Sequence, residues 1–213
     1  MGKITDITKQ KRNKTRVNIF IDGEFVCGLD EVAVASARFK VGDEISAEEF
    51  KSLVEKSESN SAFERAVGYI EIAPRARKEI ERYLKDKGYA EEIVAETVAK
   101  LDAYHYIDDY GYAQSFIKSK SKKYGTFRLA AELRKKGIPS EITDELLSEV
   151  DEDNILQIAR KYLNSHRSAD RQKLKRFLAG RGFSWDAISS AVSALSQDGA
   201  FEQNVENDEE YYD

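Results

Sequence analysis

Three stretches decide the fold: Ile80-Glu81-Arg82-Tyr83-Leu84-Lys85-Asp86-Lys87-Gly88-Tyr89, Leu129-Ala130-Ala131-Glu132-Leu133-Arg134-Lys135-Lys136-Gly137-Ile138 and Leu174-Lys175-Arg176-Phe177-Leu178-Ala179-Gly180-Arg181-Gly182-Phe183. Each sets two aliphatic residues four apart, then a glycine four further on, then an apolar residue. The glycines recur at intervals of 49 and 45 residues. A period of that size is the signature of an array built from one supersecondary unit. Apolar residues at i and i+4 share a helical face, and a glycine with an apolar successor matches a helix closed by a left-handed residue. Arrays of this kind mostly present surfaces to other macromolecules.

Working outward, each stretch is flanked by two further helical patterns. Before it come Ala66-x-x-Tyr69-Ile70, Ala113-x-x-Phe116-Ile117 and Ala159-x-x-Tyr162-Leu163. After it come Ile93, Thr97, Val98 and Leu101, then Ile142, Leu146, Leu147 and Val150, then Ala187, Ala191, Val192 and Leu195. The spacing predicts three helices per repeat. Repeats are expected at 62–109, 110–153 and 154–200, in a mainly α, elongated and curved array.

Residues 1–60 read as a separate α/β extension. Val17-Asn18-Ile19-Phe20-Ile21 and Phe25-Val26-Cys27-Gly28-Leu29 alternate around Asp22-Gly23, a dipeptide suited to a two-residue hairpin turn. Ile4 to Ile7 offers a third strand. Phe25, Cys27 and Leu29 are expected on one face, and Cys27 reads as a small core residue. A short helix is expected after Asp30. Ser46 and Glu49 form a capping box for another, with Phe50, Leu53 and Val54 inward. Lys56 to Ser61 is polar and serine-rich and reads as a linker.

Of the 213 residues, 34% are charged. Mean hydropathy is −0.60, which suits a surface-rich helical protein. The apolar runs fall far short of the roughly 20 residues a membrane span needs. The N-terminus lacks the apolar core of a signal peptide, and one cysteine permits no internal disulfide, so a cytoplasmic location is expected. The formal charge of −5 conceals an imbalance. The tail, 201–213, is acidic and free of Lys and Arg, and is expected to be disordered.

No nucleotide-binding loop, dinucleotide fingerprint or zinc spacing occurs, so neither an enzyme nor a cofactor is expected. Asp108-Asp109 reads as a helix N-cap ahead of a carboxylate pair. His105 and His166 read as boundary residues, and Trp185 as core or as a partner contact. The cations carry the candidate site: Arg75, Arg77 and Arg82 in repeat one; Lys118, Lys122, Lys123, Arg128, Arg134, Lys135 and Lys136 in repeat two; Arg171, Lys175 and Arg176 in repeat three. Arg167 and Arg181 extend the last group. Two readings stand: a solvated surface that satisfies helix C-termini, or a basic ridge facing an acidic protein or a phosphate backbone.

The motif order resembles the regulatory protein RecX family. It runs from Arg75–Tyr89 through Tyr106-Ile107-Asp108-Asp109-x-x-Tyr112-Ala113 to Tyr124-Gly125-x-x-Arg128-Leu129-x-x-Glu132–Ile138. The resemblance covers about residues 62–200, and the hairpin looks like the extension found in some bacterial members. It implies a cytoplasmic modulator of the RecA recombinase that lies in the groove of the RecA–single-stranded DNA filament. Such a protein would bridge protomers, inhibit ATP hydrolysis and strand exchange, and so bear on recombination, repair and the SOS response. The rival readings are a direct nucleic-acid-binding helical module and an adaptor for another protein. The absence of a heptad pattern leads to the expectation of a monomer.

Overall fold

The computed structural model describes residues 1–11, 13–166 and 168–201. Arg167 and the tail from 202 to 213 lie outside them. The chain divides into two compact units between Asp108 and Asp109.

The first unit opens with strands β1 (Gly2–Lys9), β2 (Arg16–Ile21), β3 (Glu24–Asp30) and β4 (Glu44–Ile45). They form an antiparallel sheet in the order β3-β2-β1-β4. Asp22 and Gly23 adopt φ of 50° and 86°, which is the mirror-image turn that matches strand twist. Helix α1 (Glu31–Ala37) follows, its first turn capped by the Asp30 carboxylate, which accepts from the Ala33 N–H at 2.9 Å. Ile4, Val17, Ile19, Leu29, Ala33, Val34, Ile45 and Leu53 form the buried core of this part.

One sequence expectation fails at β3. Ile19 pairs with Cys27 but Phe20 pairs with Phe25, so Val26 is an extra residue on the strand. A bulge of this kind reverses the alternation. Cys27 packs against the core, whereas Phe25 turns to the other face, 58% exposed, edge-on to Phe20.

A second expectation fails at the supposed linker. Helix α2 runs without a break over Ala47–Ile72, starting at the Ser46–Glu49 capping box. The polar stretch 56–61 is its middle. Ser57 is buried and its Oγ accepts from the Asp30 N–H at 2.6 Å, while Asn60 donates to the Asp30 carboxylate at 2.9 Å. These residues are polar because they satisfy the end of β3 and the start of α1. A buried backbone N–H left unpaired there would be costly. The same helix then contributes Ala62 and Ala66 to the next core, so it serves both the sheet and the first repeat.

That repeat is completed by α3 (Arg77–Asp86) and α4 (Glu91–Ala103). Ile80, Leu84, Ile93, Val94, Val98, Leu101 and Ile107 close its core around the two alanines. The second unit holds α5 (Asp109–Lys120), α6 (Thr126–Lys136), α7 (Ser140–Ser148), α8 (Ile155–Ser165), α9 (Arg171–Gly180) and α10 (Trp185–Gln197). The three decisive glycines have φ of 87°, 82° and 78°. The following N–H reaches back to Leu84, Leu133 or Leu178 at 3.3, 3.1 and 3.3 Å, and the glycine N–H to the residue after that leucine. That is the Schellman closure. Ala66, Ala113 and Ala159 are all fully buried beneath it.

The buried face of the third helices keeps most of the expected positions, Ile93, Thr97, Val98, Leu101, Leu146, Ala191, Val192 and Leu195, and adds one. Val94, Thr143 and Ile188, six residues past each glycine, are buried, while Ile142, Leu147, Val150 and Ala187 are half-buried.

Candidate partner-binding surface

The second and third repeats meet at a backbone-to-backbone seam. Gly125, which precedes α6, donates to the Arg181 carbonyl at 3.0 Å, and the Phe127 N–H donates to that of Gly182 at 3.0 Å. A Cβ on Gly125 would fall inside any attainable contact with Gly182 O and Phe183 Cα. Two arginines cross the seam in opposite directions. Arg128 Nη1 donates to the Gly180 carbonyl at 3.1 Å, and Arg181 Nη1 to that of Lys123 at 3.2 Å.

Glu152, in the α7–α8 connection, fastens both helix starts. Its Oε1 accepts from the Thr126 N–H and hydroxyl at 2.8 and 3.0 Å. Its Oε2 accepts from the Ser184 N–H and hydroxyl at 3.0 and 2.7 Å. Partial burial is the largest influence on this carboxyl and pushes it up. The hydrogen bonds from Thr126 and Ser184 together outweigh it and hold the group below the usual carboxylate range. Asn154 adds a bond to the Ser121 carbonyl at 2.6 Å.

Several of the candidate cations make contacts within the fold. Arg75 lies over the Tyr69 ring at 4.3 Å with its Nε buried and unpartnered. Arg77 pairs with Asp102 at 2.6 Å. Arg128 lies over Tyr124 at 4.5 Å, and Lys136 over Tyr112 at 5.4 Å. Lys175 sits over Trp185 at 5.5 Å and Arg171 over Phe201 at 5.6 Å, while Arg176 Nε reaches the Gln172 carbonyl at 3.4 Å. Arg82, Lys118, Lys122, Lys123, Arg134 and Lys135 are exposed, and Arg171 and Arg176 are exposed as well despite their contacts. Lys122 and Lys123 lie beside the seam; Arg134 and Lys135 end α6, where the helix dipole favours them. Acids cluster elsewhere in this unit: Glu141, Asp144, Glu145, Glu149, Asp151, Glu152 and Asp153 fall within 141–153, a run with no Lys or Arg. The cations of α3 belong to the other compact unit.

Repeats one and three share a feature that sequence reading missed. Tyr69 stacks on Tyr83 at 4.0 Å, with Arg75 over the outer face of the pair and Lys87 Nζ at 5.4 Å from Tyr83. Tyr162 stacks on Phe177 at 4.0 Å, with His166 at 4.3 Å from Tyr162 and Arg181 at 4.8 Å from Phe177. The equivalent site in repeat two is Glu132, 4.0 Å from Arg128. The signal was present: an aromatic stands one before the second leucine in repeats one and three, and a cation one before each glycine.

Trp185 is 63% exposed, which removes the core reading, and Phe127 is 68% exposed. They are the residues that follow Ser184 and Thr126, the two that Glu152 holds. Asp108 directly precedes α5. His105 closes the turn after α4 with φ of 58°. His166 ends α8 on the Tyr162 ring. Among the described residues, no three His, Cys, Asp or Glu side chains group as a metal site. No helix among them is long and apolar enough to cross a membrane.

A hairpin-led sheet followed by three tandem three-helix units, with cations and aromatics on the helices, defines a helical-repeat protein. Family models match in the same order: the regulatory protein RecX N-terminal domain over 2–46, and the first, second and third RecX three-helix domains over 62–101, 108–147 and 149–192. A regulatory protein RecX of Clostridium botulinum (strain Eklund 17B / Type B) is 33% identical over 202 residues, covering 90% of this chain and 95% of that one. One of Caldanaerobacter subterraneus subsp. tengcongensis is 32% identical, covering 89% and 98%. A crystal structure of regulatory protein RecX has a TM-score of 0.70 at 25% identity, covering 93% of this chain and all of that one. The structure of RecX from Lactobacillus salivarius has a TM-score of 0.60 at 25% identity, covering 66% and 97%. The chain belongs to the RecX regulatory protein family.

Proposed function

We propose that this protein regulates the RecA recombinase by binding its filament on single-stranded DNA, lowering ATP hydrolysis and strand exchange. The observation that carries the reading is the full set of RecX domains in order along the chain. The solvent-facing cations beside the seam support it, because they suit an acidic protein surface or a phosphate backbone. Each repeat contributes one weak contact, and linked contacts reinforce one another through effective concentration. The seam supports this further: two repeats fastened by Glu152 and Gly125 bind without first being ordered, which lowers the entropic cost of association.

The test is the single-stranded-DNA-dependent ATPase of RecA under titration with this protein, beside its binding to bare single-stranded DNA over a salt series. Inhibition at or below stoichiometric amounts, with weak binding to bare DNA, is the expected result. A second reading is favoured by Phe127 and Trp185, two exposed aromatics among cations, the composition of a base-stacking platform. It predicts an unchanged ATPase with tight, steeply salt-dependent binding to bare DNA.

A further inference from the structure

Between α2 and α4 runs a groove of opposite character to the cationic surface. Its wider part, about 680 Å3, is lined by four carboxylates, Glu55, Glu58, Glu92 and Glu96, and one cation, Lys56, together with Ser52 and Ser59. It continues into a smaller hollow of about 300 Å3 formed by Ser59, Phe63, Glu96, Thr97 and Lys100. Glu55, Glu58, Glu92 and Glu96 are all exposed. Glu55 has Lys51 at 3.8 Å, and Glu96 accepts from the Ser59 hydroxyl at 2.9 Å. Glu58 and Glu92 have no ion-pair partner among the described residues. Lys100 lies over the Phe63 ring at 4.4 Å. Tyr104 and Tyr106, 61% and 46% exposed, stand edge-on to Phe63 and extend an aromatic rim at that end.

An acidic cluster alone would mean only a solvated face, but Thr97 adds an independent observation. It lines the smaller hollow and is 2% exposed, and its Oγ1 has no hydrogen-bond partner. The equivalent positions in repeats two and three, nine residues past the glycine, are Leu146 and Ala191. A buried hydroxyl without a partner is unfavourable and calls for a reason. Only the repeat that carries the acidic groove has a polar group here.

We infer that this groove docks a basic segment of a protein partner, with an apolar side chain seated on Phe63, Tyr104 and Tyr106 and a Lys or Arg reaching the carboxylates and the Thr97 hydroxyl. The charge of the groove selects a cationic occupant and rejects an acidic one. The aromatic rim selects a peptide over a simple cation, because it offers apolar contact area beside the charge. Thr97 gains on docking the bond it lacks in the free protein. This contact is separate from the cationic surface on repeats two and three, and it stands or falls without reference to RecA.

The test uses the full chain and a fluorescein-labelled amphipathic Leu/Lys dodecapeptide, with its Leu/Glu counterpart as control. Anisotropy gives affinity, and amide chemical shifts locate the site. Shifts centred on Ser59, Glu96 and Thr97 are expected, with affinity at least about tenfold weaker for the Leu/Glu peptide and for the E92K/E96K variant. Thr97→Val, nearly isosteric, is expected to raise the melting temperature of the free protein by about 2–4 °C while weakening the Leu/Lys peptide. Shifts centred elsewhere, equal binding of both peptides, or a lower melting temperature for Thr97→Val overturns the inference. So does self-association that shifts the same amides, because the occupant would then be a second copy.

Discussion

Replacing Glu152 by Gln tests whether the second and third repeats behave as one body. The carboxylate accepts four hydrogen bonds, two from backbone N–H groups at the starts of α6 and α10. The Thr126 and Ser184 hydroxyls can turn to water, so their loss costs little. The two N–H groups sit at helix N-termini, where losing a cap costs about 1 kcal/mol. Removing the negative charge from two positive helix ends costs about 0.3–1 kcal/mol at each. A glutamine keeps one good acceptor, so the expected loss is about 2 kcal/mol, and about 3 kcal/mol for Glu152→Ala. For a chain of this size that lowers the melting temperature by about 4–12 °C. The pH dependence carries a second signature. The folded carboxyl is held below its ordinary value of about 4.3. Its stabilisation is therefore complete above that value and is lost as pH falls through the folded one. The gap between parent and Glu152→Gln should be full at pH 7 and narrow steadily in acid. Thermal melts of both proteins from neutral to acid pH measure it. A gap below about 0.5 kcal/mol at neutral pH, or one unchanged down to the acid limit, would refute the fastening role of Glu152.

Gly125→Ala leaves φ and ψ acceptable but drives a Cβ into the Gly182 carbonyl, so the seam must open. A loss of about 2 kcal/mol is expected by chemical denaturation, as for other overpacked sites. Gly137→Val acts through backbone strain, since φ there is 82° and a β-branched residue resists it. About 1–2 kcal/mol should be lost in repeat two, and a melt identical to the parent would deny the left-handed cap.

How far the sequence could be read follows from how local each determinant is. The glycine caps, the Asp22-Gly23 turn and the Ser46–Glu49 capping box depend on neighbours within a few residues, so their chemistry is visible in the string. The polar middle of α2 misled because Ser57 and Asn60 answer to Asp30, some thirty residues earlier. Phe25 misled because the bulge at Val26 is a property of strand pairing, and alternation alone does not encode it. At the candidate surface, the cations could be enumerated, but not sorted. Arg75 and Arg128 look like Lys122 and Lys135 until the rings and carbonyls beneath them are placed. Glu152 left no signal, and Gly125 stood only as one member of the Tyr124-Gly125-x-x-Arg128 motif, since an acid in an acidic run and a glycine in a loop acquire their structural meaning only when repeats two and three meet.

The proposed function makes the solvent-facing cations of the second repeat part of the surface that engages RecA. The most direct measurement reverses Lys122, Lys123, Arg134 and Lys135 to Glu together and repeats the RecA ATPase titration with parent and variant at matched circular dichroism. All four are exposed, so the fold should be retained. The account predicts that the variant requires at least about tenfold more protein for the same inhibition, the effect of losing about 1.4 kcal/mol of binding. A folded variant that inhibits as well as the parent would contradict it.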